Sequence, residues 1–266
     1  MARLTSITGI GRGLDLDLRS NRVALAGAAA ATVAYAGFAL ATGGEIADSL
    51  IAGIVVFLAW AIGRELDPDR PHVAAWAMLV AFGAAVYDLP SGIVTAVALI
   101  AIRLVAGTPG AAVTWVDVAV LVLLGFASGS SPVLWIAALI FAIWLLTSPE
   151  VGPLKWIALG SLIGGTVAGF RAAEAPVVVV GQDAYILAAV GGVVMMLAMR
   201  PSVVISRTDA GTELIQQGRI GLARRTAGTF VMWAAVMGGV AGFWAISPVL
   251  AALTATAFAK WFVRGA

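Results

Sequence analysis

Long apolar runs separated by short polar turns dominate the chain. A first run from Arg22 to Thr42 is followed by others at about 46–63, 72–87, 90–106, 111–127, 132–147, 153–170, 184–199, 227–244 and 247–263. At 1.5 Å per residue the longer runs cross the ~30 Å of bilayer hydrocarbon, and the shorter ones do so if they stand upright or the bilayer thins around them. The pattern predicts an all-α polytopic membrane protein, a compact bundle of about ten short transmembrane helices joined as antiparallel hairpins by Gly-, Pro-, Ser- and Asp-rich turns. It divides into an N-terminal segment over 1–21, a membrane domain of eight spans over 22–199, a connector over 200–226 and a C-terminal transmembrane hairpin over 227–266. A second reading of the first run is a signal peptide cleaved after Ala39-Leu40-Ala41, although the run is long for that role.

Proline placement supports these boundaries. Pro71, Pro90, Pro132, Pro153 and Pro248 fall at the first turn of a span, where a missing N–H costs nothing. Pro68, Pro109, Pro149, Pro176 and Pro201 fall in turns.

Charge orients the bundle. With alternating spans and the N-terminus inside, every Lys and Arg except Arg171 lies on the inner side, the pattern of a protein with both termini cytoplasmic. The expected location is a bacterial or archaeal cytoplasmic membrane. The outer side holds Glu45, Asp48, Asp88, Glu174 and Asp183, which reads as a surface from which bases are excluded. Tryptophans near span ends, such as Trp60, Trp76, Trp115 and Trp156, read as interfacial belts. Leu214, Ile215, Gly218 and Leu222 recur at roughly helical spacing among the arginines of 200–225, which predicts an amphipathic surface helix meeting anionic headgroups.

Composition narrows the chemistry. With 61% hydrophobic and 11% charged residues, the chain is too apolar for a soluble domain of its length. No cysteine and a single histidine leave no thiolate, Fe–S or bis-His haem chemistry, and there is no domain to bind nucleic acid.

Three groups of residues are candidate sites. Asp117 lies about six residues into the fifth span, across a short turn from Arg103 in the fourth. An ionisable residue at that depth is costly, which marks the two as a coupling pair on a transport pathway or as a staple between helices. The glycine pairs Gly164-Gly165, Gly191-Gly192 and Gly238-Gly239 sit near the middle of three consecutive spans, either for close helix packing or as unwound backbone lining a path. The turn from Arg64 to His72 gathers Glu65, Asp67, Asp69 and His72, donors for a divalent cation, with Arg64 and Arg70 for a phosphate or headgroup. Its other reading is a tight turn set by Pro68 and Pro71.

The leading expectation is a permease for a small solute or ion. The alternatives are a metal-dependent enzyme acting on lipid-linked or polyprenyl substrates at the inner face, and a non-catalytic subunit whose glycine faces dock a partner helix or form an oligomer. Ser131-Pro132-Val133-Leu134 recurs as Ser247-Pro248-Val249-Leu250, and the hairpins 72–106 and 227–263 align Trp76 with Trp233 and Arg103 with Lys260. These are faint signs of an internal repeat.

Overall fold

The structure, a computed structural model, describes residues 15–108, 114–147, 154–173, 181–199, 204–207 and 214–262. The expectations for Arg3, Arg12, Pro109, Pro149, Pro153, Glu174, Pro176, Arg200 and Pro201 lie outside these residues. Among the described residues the fold has ten α-helices. They are α1 (Arg19–Thr42), α2 (Asp48–Leu66), α3 (Pro71–Tyr87), α4 (Gly92–Ala106), α5 (Trp115–Ser130), α6 (Trp135–Thr147), α7 (Leu154–Ala172), α8 (Gln182–Ala198), α9 (Gln217–Ala245) and α10 (Ser247–Phe262). A 3-10 turn over Pro132–Leu134 leads directly into α6. The described residues contain no strand, only an isolated bridge between Arg207 and Leu214.

Helix ends follow local chemistry. Pro71 opens α3, and Ser91 caps α4 by accepting from the Val94 N–H, with Pro90 just before it. Gly43 and Gly107 close α1 and α4 at φ of +75° and +68°, a left-handed turn that glycine adopts without strain. Two helix starts lie about four residues or more from the hydropathy pattern. Described α5 begins at Trp115 after a Thr114 cap, and α9 begins at Gln217, so most of the expected surface helix within 200–226 is the first turns of a 29-residue helix. Three helices, α1, α2 and α9, are long and apolar enough to cross a membrane, while α3, α4, α5, α8 and the unit Pro132–Thr147 are shorter apolar helices.

Of the three long apolar helices α2 is the most enclosed, packing against α1, α3, α4 and α10. Gly63 lets it approach the Ala74 backbone of α3, where a methyl group would stand 3.0 Å from Ala74 Cα. Helix α3 lies on α10 and α4 on α9, so the two hairpins of the faint repeat pack crosswise, first helix against second. Helix α8 packs against α9 and α10, with Gly191 and Gly228 admitting Val231 and Met195.

The closest pairing joins α5 to α7. Cβ atoms built on Gly125, Gly129, Gly165 and Gly169 would lie 2.7, 2.0, 2.5 and 2.1 Å from the carbonyl oxygens of Leu162, Thr166, Val122 and Phe126. Contact positions advance together along both chains, so the helices run parallel, each offering a small-xxx-small face to the other's backbone.

The interior is largely small and aliphatic, while large apolar side chains crowd the outside. Leu79, Leu123, Ile163, Ile186, Val193 and Met196 are all exposed. A folded protein in water buries such residues, and contiguous exposed apolar surface of this kind is rare on soluble monomers. Trp76, Trp115, Trp156 and Trp261 are exposed as belt residues would be, whereas Trp60 and Trp144 are buried and belong to the core.

Candidate functional site

Charge collects inside the bundle, at one end. The C-terminal ends of α2, α4, α8 and α10 meet there with the N-terminal ends of α3 and α9, the alternation that short hairpins require. At the other end the Ser91 N–H donates to Ala245 O at 3.2 Å, and Tyr87 lies against Trp244 with ring centroids 4.8 Å apart.

Among the described residues the buried charged side chains are Glu65, Asp67, Arg103, Asp117, Arg224 and Lys260, three acids and three bases. They come from α2 and its following turn, α4, α5, α9 and α10. Glu65 has no exposed surface; one of its oxygens accepts from Arg103 Nε at 2.8 Å and the other from the Thr108 hydroxyl. Arg224 Nε donates to Leu66 O at 2.8 Å, which fixes α9 to the end of α2. Lys260 Nζ donates to Ala198 O at 3.1 Å and so caps the end of α8.

Asp67 sits between these elements. Burial pushes its carboxyl above the ordinary carboxylate value, and the nearby Arg224, Arg70 and Lys260 offset this only in part. Arg70 Nη1 stands 3.9 Å from Asp67 Oδ2, an ion pair too long for a hydrogen bond. Asp69 points elsewhere: its carboxylate accepts the N–H groups of Ile205 and Ser206 at 3.0 and 2.9 Å, together with the Ser206 hydroxyl. The turn is thereby fastened to the segment before α9.

This geometry changes the reading of the sequence candidates. Arg103 pairs with Glu65, 38 positions earlier, rather than standing only as a partner for Asp117. Asp117 is the third residue of α5 and closes a capping box with Thr114, accepting its N–H at 2.8 Å while the Thr114 hydroxyl faces the Asp117 N–H. Glu65, Asp67 and Asp69 serve different partners, and His72 is exposed on the first turn of α3. Among the described residues no three acidic or histidine side chains gather as a divalent-cation site would need. Arg64 is half-buried.

The glycine pairs divide. Gly165 and Gly191 face neighbouring helices, Gly192 lies in ordinary contact with Met232, and Gly164 faces open space. Gly239 differs in kind: at φ +57° and ψ −142° it breaks α9 in a conformation left to glycine. Beyond the break, Gly242 folds against Ala234 O. The turn Pro132–Leu134 nests beside this bend, with Val133 against Gly238 and Trp233 Nε1 donating to Pro132 O at 2.8 Å.

Arg224, which the sequence places on a surface helix, and Lys260, which it places only in a faint repeat, are both buried. A signal was present for Arg224. It shares a helical stripe with Ala227, Gly228 and Val231, all buried.

Fold and site together define an all-helical bundle with an apolar exterior and a network of buried charges at one end. Compared with protein-family models, curated proteins and solved structures, the chain matches none.

Proposed function

We propose that the protein is an integral membrane transporter for a small solute or ion, with ten spans, both termini on the cytoplasmic side, and the charge network as its inner latch. The observation that carries this reading is the set of six buried ionisable residues drawn from five helices of an apolar-surfaced bundle, of which Arg103, Arg224 and Lys260 each reach a neighbouring helix. In lipid such residues are expensive, and they persist where they line a path or hold a movable contact. The network's contacts run from one helix to another, Arg103 to Glu65, Arg224 to Leu66 O and Lys260 to Ala198 O, which suits a latch better than an ion cage. Opening requires Arg103 to leave Glu65 and Arg224 to leave Leu66, which frees α4 and α9 from α2. The break at Gly239 supplies the hinge on which the inner half of α9 turns.

The test is flux into proteoliposomes. With a panel of labelled amino acids, sugars and organic ions outside and a pH dye inside, the protein is expected to move at least one probe faster than protein-free liposomes. Arg103→Gln and Gly239→Ala, checked for folding by helical circular dichroism, are each expected to change that rate about tenfold or more, the effect of ~1.4 kcal/mol on a conformational barrier. No flux above the protein-free control, or wild-type flux in both variants, contradicts the proposal.

A further inference from the structure

We infer that the groove between α4, α6 and the start of α9 binds one acyl chain of an anionic phospholipid, with Arg219 holding its phosphate. The inference rests on the membrane reading above but not on transport. The groove encloses about 290 Å³ and is lined by Leu104, Val105, Ile140, Ile143, Trp144 and Leu222 along its apolar length. Arg219 and Thr226 lie on the same stripe of α9, seven residues or ~10 Å of helix apart. One wall is therefore a cation at the charged end of the bundle followed by two turns of hydrocarbon-compatible surface, the order of groups in a phospholipid read from headgroup to tail.

No acid among the described residues pairs with the guanidinium. Among the described residues Arg219 makes no ion pair and no side-chain hydrogen bond, although it is half-buried. It lies over the α4 terminus, where a Cβ built on Gly107 would stand 2.0 Å from Arg219 Nη1, so glycine at 107 is what allows the side chain to sit there. Guanidinium forks match phosphate oxygens in two-point contacts. The position in the first turn of α9, the positive end of its dipole, adds to the preference for an anion. A soluble phosphate would use the arginine but leave the apolar groove unfilled, so the lipid is the occupant that accounts for both halves.

Trp144 lines the groove and reports on it. Full-length protein is placed in phosphatidylcholine vesicles containing phosphatidylglycerol, with one lipid or the other carrying brominated acyl chains, and the Trp144 signal is taken as the difference from Trp144→Phe. Brominated phosphatidylglycerol is expected to be about fivefold more effective than brominated phosphatidylcholine at equal mole fraction, the factor one arginine contributes beside an anionic headgroup. Arg219→Gln should abolish that preference, and Arg225→Gln, at an exposed position, should retain it. Equal quenching by the two lipids, or a preference that survives in Arg219→Gln, overturns the inference. So does loss of the preference on adding soluble glycerol phosphate, which would assign the site to a soluble anion. If neither lipid quenches any tryptophan, including exposed Trp76 and Trp156, the membrane reading itself fails.

Discussion

Replacing Arg103 by Leu is expected to destabilise the protein by about 3–5 kcal/mol, because it leaves the Glu65 carboxylate buried without its guanidinium. The Thr108 hydroxyl still donates to Glu65, but one neutral donor does not replace a charge in an apolar bundle. The reciprocal change, Glu65→Leu, strands a buried cation and should cost a similar amount. The double variant is the informative one. Two leucines facing each other among Val97, Ile102 and Leu66 are compatible with that core, so most of the loss is expected to be recovered. A double-mutant cycle followed by thermal unfolding in detergent measures the coupling, and single effects that simply add would show that the pair is not a unit.

The second large effect is a reversal of sign between neighbouring glycines. Gly165→Ala is expected to destabilise by about 1–3 kcal/mol, since the new methyl would stand 2.5 Å from Val122 O and the obstacle is backbone, which yields only if α5 and α7 move apart. Gly164→Ala should instead stabilise by up to about 1 kcal/mol, because nothing stands within 4 Å and alanine is the better helix former. Unfolding midpoints of the two variants, measured in one detergent, decide the matter. Equal shifts of the same sign would remove the α5–α7 interface from the account.

Those two glycines also show why the sequence revealed only part of the structure. Gly164 and Gly165 are equivalent in hydropathy and in depth along α7, and they differ only in direction, which a helix sets at about 100° per residue. Direction acquires meaning through the neighbour, and the pairing of α5 with α7 skips α6. Gly125 and Gly129, which form the matching face on α5, therefore do not stand out in the sequence. The same limit applies to charge. Arg103, Asp117 and the turn from Arg64 to His72 read as separate features, because spans α2, α4, α5 and α9 converge only in three dimensions. Glu65 was thereby grouped with Asp67 and Asp69 as a metal ligand, when its partners were Arg103 and Thr108.

What the sequence did carry is what depends on local physics. Apolar runs, first-turn prolines at 71 and 132 and the Gly107 terminus mark elements that the structure contains. The start of α9 was misjudged for a physical reason. Arg219, Arg224 and Arg225 lower local hydropathy, yet Arg224 is buried because its guanidinium meets the carbonyl at the end of α2. Hydropathy counts a charge as polar whether or not a partner waits for it in the interior.

The central claim is that this bundle crosses a membrane with its charge network on the cytoplasmic side. The native chain has no cysteine, so single-cysteine variants report position without background. Glu45 and His72 are both exposed, before α2 and at the start of α3, on opposite sides of the proposed span. In intact cells a membrane-impermeant maleimide is expected to label Glu45→Cys and to reach His72→Cys only after permeabilisation. Labelling of His72→Cys in intact cells, alone or as readily as Glu45→Cys, would contradict the account.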